Sequence, residues 1–128
     1  MATLFIDGSW VSALAGETRE VRCPADQSLV AVVDEAGEAD TIAAIGAARR
    51  AFDAGDWRAT PFTERAALLL RVAAALEANS AEIARAESLD TGKRLVESEY
   101  DVVDVAKCFR YFAGLAGNGG RVVDTGTT

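Results

Sequence analysis

Histidine is absent from this sequence, and cysteine, methionine and proline nearly so: two Cys, one Met and two Pro in 128 residues. Without histidine the chain lacks the commonest general base and the commonest metal ligand, which excludes Ser-His-Asp triads and typical zinc sites within it. Cys23 and Cys108 are too few and too far apart for a disulfide scaffold, so a reducing, cytoplasmic setting is expected. No apolar run approaches the ~20 residues of a membrane span, and the opening residues carry no signal-peptide pattern. Basic charge is also short, with 13 Lys+Arg against 20 Asp+Glu and a net charge of −7. That balance argues against nucleic-acid and anionic-membrane partners, whose affinity comes mostly from basic surface. A phosphate-cradling loop is missing too. Gly114-Leu-Ala-Gly117 and Gly117-Asn-Gly119-Gly120 follow a helical stretch, whereas a dinucleotide loop follows a strand and opens a helix.

What is present is ordinary globular composition, 50% apolar and 26% charged, at a length that suits one domain. The first third reads as strand and turn. Leu4-Phe5-Ile6 runs into Asp7-Gly8, a strong two-residue hairpin signal, with Trp10-Val11 as the return strand. Arg19 to Cys23 alternates and is stopped by Pro24, and Leu29 to Val33 is β-branched and apolar. These pieces predict a small antiparallel meander that needs something packed against it.

From Ala39 the period becomes helical. Asp40 or Thr41 is placed to cap a helix whose inward face is Ile42, Ile45, Ala48 or Arg49, and Phe52, ending near Gly55. Thr60-Pro61 opens a second helix carrying Leu68, Leu69, Val72, Ala73 and Leu76. Asn79-Ser80 interrupts it, and a further stretch with Ile83, Ala86 and Leu89 runs to Asp90-Thr91-Gly92. A last helix starts near Val96 and runs to about Gly117, with Val102, Val105, Phe109, Phe112 and Ala116 on one stripe. Arg121-Val122-Val123 can begin a strand.

Candidate chemistry is sparse. Neither cysteine sits at a helix N-terminus or beside an identifiable base, so both read as small buried hydrophobes. One cluster resembles a site: Tyr100, Asp104 and Tyr111 lie within about 40–60° of one another at 100° per residue, with Asp101 adjoining and Lys107 at i+3 from Asp104. Two acids beside aromatic rings suit an organic cation. The alternative is a solvated acidic first turn that complements the helix dipole.

Several segments in order resemble the N-terminal part of the NAD(P)-dependent aldehyde dehydrogenase family, in particular its betaine aldehyde and aminoaldehyde branch. They are Leu4-Phe5-Ile6-Asp7-Gly8-Ser9-Trp10, the Pro24 turn, Ala47-Ala48-Arg49-Arg50-Ala51-Phe52 with Trp57, and Glu64-Arg65. Glu87-Ser88-Leu89-Asp90-Thr91-Gly92-Lys93 and Cys108-Phe109-Arg110-Tyr111-Phe112-Ala113-Gly114 complete the set. The resemblance implies an α/β fold, the truncated N-terminal part of a Rossmann-like nucleotide-binding domain spanning residues 1–128, with short antiparallel hairpins followed by helices. It implies NAD or NADP as cofactor, a small-molecule aldehyde as substrate and a homo-oligomer (dimer or tetramer) for the full-length parent. The family's cofactor-binding strands, catalytic cysteine and catalytic glutamate follow the residues present here, so no catalytic or cofactor-binding residue is assigned in this chain, and Cys108 matches a structural helix position. In the aminoaldehyde branch an aromatic-Asp-x-x-Asp pattern lines the substrate entrance, and Tyr100, Asp101 and Asp104 match it. The family also often holds a monovalent cation, K⁺ or Na⁺. The matching positions are Asp90, for which a capping or turn role is the alternative, and the backbone carbonyl of Arg22. Arg22-Cys23-Pro24 here replaces the usual apolar-Asn-Pro.

Two readings follow: the leading portion of an enzyme oxidising an aldehyde to its acid, or a non-catalytic remnant or assembly partner that uses this fold segment. The 128-residue chain by itself is expected to show no dehydrogenase activity with any aldehyde and either nicotinamide cofactor. Growth of the reduced-nicotinamide absorbance, abolished by Cys108→Ser, would overturn that expectation.

Overall fold

The structure, a computed structural model, describes residues 3–117. The elements run β1 (Leu4–Ile6), β2 (Ser9–Val11), β3 (Thr18–Arg22), β4 (Leu29–Asp34), α1 (Glu38–Ala54), a 3₁₀ turn at Asp56–Arg58, α2 (Phe62–Ala78), α3 (Ser80–Thr91) and α4 (Leu95–Gly117). The expected strand at Arg121–Val123 lies outside the described residues. The chain divides into two compact units, one reaching to Arg58 and including Leu89–Lys93, the other Ala59–Ser88 with the residues from Arg94 onward.

In the first unit, Asp7 (φ 53°) and Gly8 (φ 78°) both take left-handed backbone, as a tight hairpin turn with matching twist demands. They set the β1–β2 register Leu4↔Val11, Phe5↔Trp10 and Ile6↔Ser9, and the Phe5 and Trp10 rings lie 5.1 Å apart. β3 pairs antiparallel with β4 through Thr18↔Asp34 to Arg22↔Leu29. The expected single meander is instead two separate two-stranded sheets. A side chain explains the difference. The Asp34 carboxylate accepts from the Thr3 backbone N–H and hydroxyl at 2.8 Å each and from the Ala13 N–H at 3.2 Å. The Thr3 hydroxyl in turn accepts from the Asp34 N–H at 2.6 Å. One carboxylate thus serves backbone donors before β1 and after β2, where strand-to-strand pairing would otherwise be needed.

Helix α1 starts at Glu38 with Gly37 as its N-cap, one turn ahead of the expected cap. Asp40 sits inside the first turn, buried, and its carboxylate accepts from the Gly37 N–H at 3.0 Å and the Leu14 N–H at 3.2 Å. This satisfies an orphan helix donor and places negative charge at the positive end of the helix. The expected inward face of α1 is corrected: Ile42, Ile45 and Phe52 are 61, 64 and 60% exposed, while Ala47 is buried. Ala44, Ala47, Ala48 and Ala51 line a cleft with Phe5 and Ile6, so it is alanines that bring the helix to the hairpin. Arg49, on the exposed side, pairs with Asp53 and lies 5.2 Å from the Phe52 ring centre.

In the second unit, α2 packs on α4. Pro61 is the N-cap of α2 and Phe62 its first helical residue, one position later than expected. The Leu68, Leu69, Val72, Ala73, Leu76 face is turned inward, with Ala73 fully buried. The break at Asn79 is as expected: its side-chain amide donates to the Ala75 carbonyl at 2.8 Å and closes α2 before α3 begins. On α4 the buried residues are Ser98, Val102, Ala106 and Ala113, whereas Val105 and Phe112 are 45 and 58% exposed. The inward stripe is therefore rotated from the expected one toward small side chains. Small residues let two helix backbones approach closely, so total volume, not hydrophobicity alone, decides the facing stripe. Burying Val102 contributes roughly 1.5–3 kcal/mol. Across the same pair Arg110 of α4 makes a two-point ion pair with Glu77 of α2, at 3.0 and 2.6 Å.

The Asp34 carboxyl is held below its ordinary 3.8, chiefly by the Thr3 hydroxyl and then by the Ala13 N–H. A lowered pKa means stability that is present at neutral pH and is lost as pH falls below about 4. Asp34→Asn is therefore expected to lower the denaturation midpoint at pH 7, with the gap to the parent chain closing toward pH 3. A gap that stays constant over that range, followed by circular dichroism, would rule the clamp out.

Candidate functional site

The acidic-aromatic cluster lies on the first turns of α4, whose rotation is set by the Ser98, Val102, Ala106, Ala113 contact side. Tyr100, seven-tenths exposed, and Tyr111 stand on the open side of the helix. Between them Asp104 pairs with Lys107, Nζ to Oδ1 at 3.0 Å, with both side chains about as exposed as Tyr100. The helical phase puts Tyr100, Asp104, Lys107 and Tyr111 on one stripe. Tyr111 also meets the Phe112 ring edge-on, with centroids 5.4 Å apart.

Asp101 is set apart from that stripe. It lines a groove of about 210 Å³ with Leu76, Ile83, Glu87, Val102 and Val105. The sequence grouped Tyr100, Asp101 and Asp104 by proximity along the chain. The helix separates Asp101 from Tyr100 by about 100° and leaves Tyr100 with Asp104. The arrangement that results is a solvent-facing row of ring, acid, base and ring. It offers weak, screened attraction to a cation and no buried charge.

Asp90 and Arg22 fall in the first unit. Gly92, at φ 75°, brings their segments together: a Cβ built on it would lie 3.1 Å from the Ala25 nitrogen and 3.3 Å from the Pro24 Cβ. The Arg22 guanidinium is engaged by Glu20 and by the Gln27 carbonyl, which leaves the backbone of that residue as the candidate donor. In the same turn Asp26 accepts from the Ser28 hydroxyl at 2.7 Å and N–H at 3.0 Å, and its carboxyl is lowered chiefly by that hydroxyl. Among the described residues no group of three or more His, Cys, Asp or Glu could hold a metal ion. One carboxylate and one carbonyl do not complete the oxygen shell of a hard cation.

The cysteines part company. Cys23 is buried as expected, while Cys108 is exposed, a correction that follows from the rotated stripe of α4. A nucleotide's phosphates do not fit the strand-to-helix passage present here. It runs from β4 through Glu35, Ala36 and Gly37 into α1, where the Gly37 N–H already donates to the buried Asp40 carboxylate, whose charge would repel a phosphate. Two further structural pairs escaped the sequence reading, Asp34 with Thr3 and Glu77 with Arg110. The first carried the faint signal of an acid ending an apolar strand; the second, 33 residues apart, carried none.

Comparison with known proteins agrees with this geometry. The model of the aldehyde dehydrogenase family matches residues 10–125. The chain belongs to the aldehyde dehydrogenase family. It is 45% identical over 124 residues to betaine aldehyde dehydrogenase of Bacillus subtilis, covering 96% of this chain and 25% of that protein. It is 36% identical to an aminoaldehyde dehydrogenase of Solanum lycopersicum, covering 88% of this chain and 22% of that one. The crystal structure of Staphylococcus aureus betaine aldehyde dehydrogenase in complex with NAD⁺ superposes with a TM-score of 0.84 at 38% identity, over 96% of this chain and 25% of that one. The α/β arrangement of two hairpins and four helices is thus the N-terminal region of the aldehyde dehydrogenase fold. This chain spans about a quarter of the length of the relatives it matches.

At Gly92 a left-handed φ of 75° and a close neighbouring backbone coincide. Gly92→Ala is expected to cost roughly 1–3 kcal/mol, because the residue keeps a left-handed φ and its new methyl meets the Pro24–Ala25 backbone. Urea unfolding checks this, and an unchanged midpoint would show that the turn relaxes freely.

Proposed function

We propose that this chain is the N-terminal part of the nucleotide-binding domain of an enzyme that oxidises an aldehyde to its carboxylic acid with NAD(P). The observation that carries the reading is the near-complete coverage of this chain at 45% identity by a betaine aldehyde dehydrogenase. NAD(P), bound by other parts of the family fold, would supply the hydride acceptor for this oxidation. The groups that hold it and attack the aldehyde belong to the family's later sequence, as the poor fit of the β4–α1 passage supports. The substrate is a small aldehyde, and the parent is read as a cytoplasmic homo-oligomer. Among the described residues no helix is long and apolar enough to cross a membrane.

Within that reading, Tyr100 and Asp104 form one wall of the substrate entrance and favour an aldehyde with a distal ammonium or trimethylammonium group. Ring faces and a carboxylate attract such a head without touching the reacting carbon. Asp101 contributes from the neighbouring groove as part of the general negative field. A monovalent cation, K⁺ or Na⁺, would take Asp90 and the Arg22 carbonyl as two of its donors, the remainder coming from other parts of the family fold.

A chimera in which this chain replaces the matching quarter of the Bacillus subtilis enzyme makes the reading measurable. An exposed carboxylate about 4 Å from a cation in water is worth about 1 kcal/mol, and the Lys107 pairing reduces it. Asp104→Asn should therefore raise KM for betaine aldehyde roughly two- to fivefold. It should leave kcat unchanged, because the interaction is the same in ground and transition states. A neutral aldehyde of equal length should be unaffected, and added salt should shrink the difference. Equal changes for both aldehydes would sink the entrance assignment.

A further inference from the structure

The stripe on α4 carries a cation of its own. Lys107 stands seven residues after Tyr100 and four before Tyr111, so at 100° per residue its base lies within about 20–40° of both rings on the helix surface. Its ammonium is 3.0 Å from the Asp104 carboxylate. Tyr100 and Tyr111 are 70 and 63% exposed, so the faces that would receive an organic cation are open while the acid between them is already engaged. Arg110, the next base along the helix, is held by Glu77 through both ends of its guanidinium and does not compete for Asp104.

We infer that Lys107 is a specificity-determining residue, an internal competitor for Asp104 that a cationic substrate must displace at the entrance. The inference rests on the entrance reading given above. An incoming ammonium gains the full attraction of Asp104 only when the Lys107 head swings into water. An exposed pair three residues apart on a helix is weak enough for that to happen readily. The lysine also repels the substrate's charge over the same few ångströms. Lys107 thus sets how strongly the stripe distinguishes charged from neutral aldehydes, without contacting the reacting atoms. It is a positioning residue acting through Asp104.

The test is a double-mutant cycle in the chimera, with betaine aldehyde and a neutral aldehyde of equal length. Lys107→Met is expected to lower KM for betaine aldehyde about two- to threefold, leaving kcat and the neutral aldehyde unchanged. Lys107→Arg should behave as the parent, and the gain from Lys107→Met should shrink in the Asp104→Asn background. If Asp104→Asn raises KM while Lys107→Met is inert, the competitor role is overturned and the entrance reading stands. If Asp104→Asn is itself without effect, both fall. Equal gains in both backgrounds would mean simple repulsion and would also overturn the inference. Should the chimera fail to assemble, tetramethylammonium chloride is titrated into the 128-residue chain and followed by the ring resonances of Tyr100 and Tyr111. Tighter saturation with Lys107→Met supports the inference, and identical curves for the two chains overturn it.

Discussion

The close contact of α2 with α4 through small side chains is the constraint on which the candidate site depends. α2 packs on α4, and the buried residues of the pair are Ala66 and Ala73 on one helix and Ser98, Val102, Ala106 and Ala113 on the other. Helix surfaces built of such residues present shallow grooves, and the backbones close until those atoms touch. Once that side of α4 is committed, every other residue on the helix has its direction fixed by the 100° step. Tyr100, Asp104, Lys107 and Tyr111 are turned to solvent, and Asp101 is turned toward the groove beside α3. A bulkier residue at Ala106 would change the rotation or spacing of the helix. It would disturb the exposed stripe of Tyr100, Asp104 and Lys107 without touching any member of it. Ser98 marks how tightly this contact is drawn: its hydroxyl is fully buried without a hydrogen-bond partner. Such a group costs stability that a methyl would not, and the helix spacing tolerates it.

The excess of acid in the chain serves two physically distinct ends. Asp34 and Asp40 act where solvent is partly or wholly excluded, each collecting backbone N–H groups from loop residues flanking the strands and α1. There the carboxylate replaces strand pairing or helix capping, and its value lies in satisfied hydrogen bonds. Asp104 acts on open surface, where its field is screened and its partner exchangeable. A residue type alone does not tell these roles apart. Burial and the nature of the donors do: backbone amides around the structural acids, a flexible ammonium beside the exposed one.

Much of the fold was legible because its signals are local. Asp7-Gly8 announces a tight turn through two left-handed residues, and Asn79 and Gly55 mark helix ends by their own chemistry. The rotational phase of the helices was harder to read. In α1 the large apolar residues Ile42, Ile45 and Phe52 pointed to one inward face, yet the alanines at 44, 47, 48 and 51 make the approach to the hairpin. Alanine weighs little in a hydrophobic pattern but matters greatly where backbones come close. The same ambiguity moved the stripe of α4 and exposed Cys108. For the candidate site, the residue order revealed the aromatic-Asp-x-x-Asp pattern and the i+3 spacing of Lys107 to Asp104. The separation of Asp101 needed the phase of α4, which depends on α2 and hence on long-range packing.

The large apolar residues left exposed follow from this use of alanine. Where small side chains make the internal contacts of each unit, Ile42, Ile45 and Phe52 on α1, and Val103, Phe112 and Leu115 on α4, stay 45–64% exposed. Ile42, Ile45 and Phe52 share one side of α1, a face suited to burial against other protein. The family relation gives that reasoning a frame, since the same arrangement occurs at a TM-score of 0.84 within a chain four times as long. A segment that lives inside a larger fold needs two kinds of surface on each helix. One is a narrow, small-residue side for its immediate neighbour; the other is a broad apolar side for later contacts. A polar stripe can then persist only where neither is required. On α4 the buried residues 98, 102, 106 and 113 take one side, while the exposed Val103 and Phe112 flank it, about 180° apart at 100° per residue. The arc opposite the buried side holds Tyr100, Asp104 and Lys107, and their exposure follows from the contact that fixes the rotation of α4.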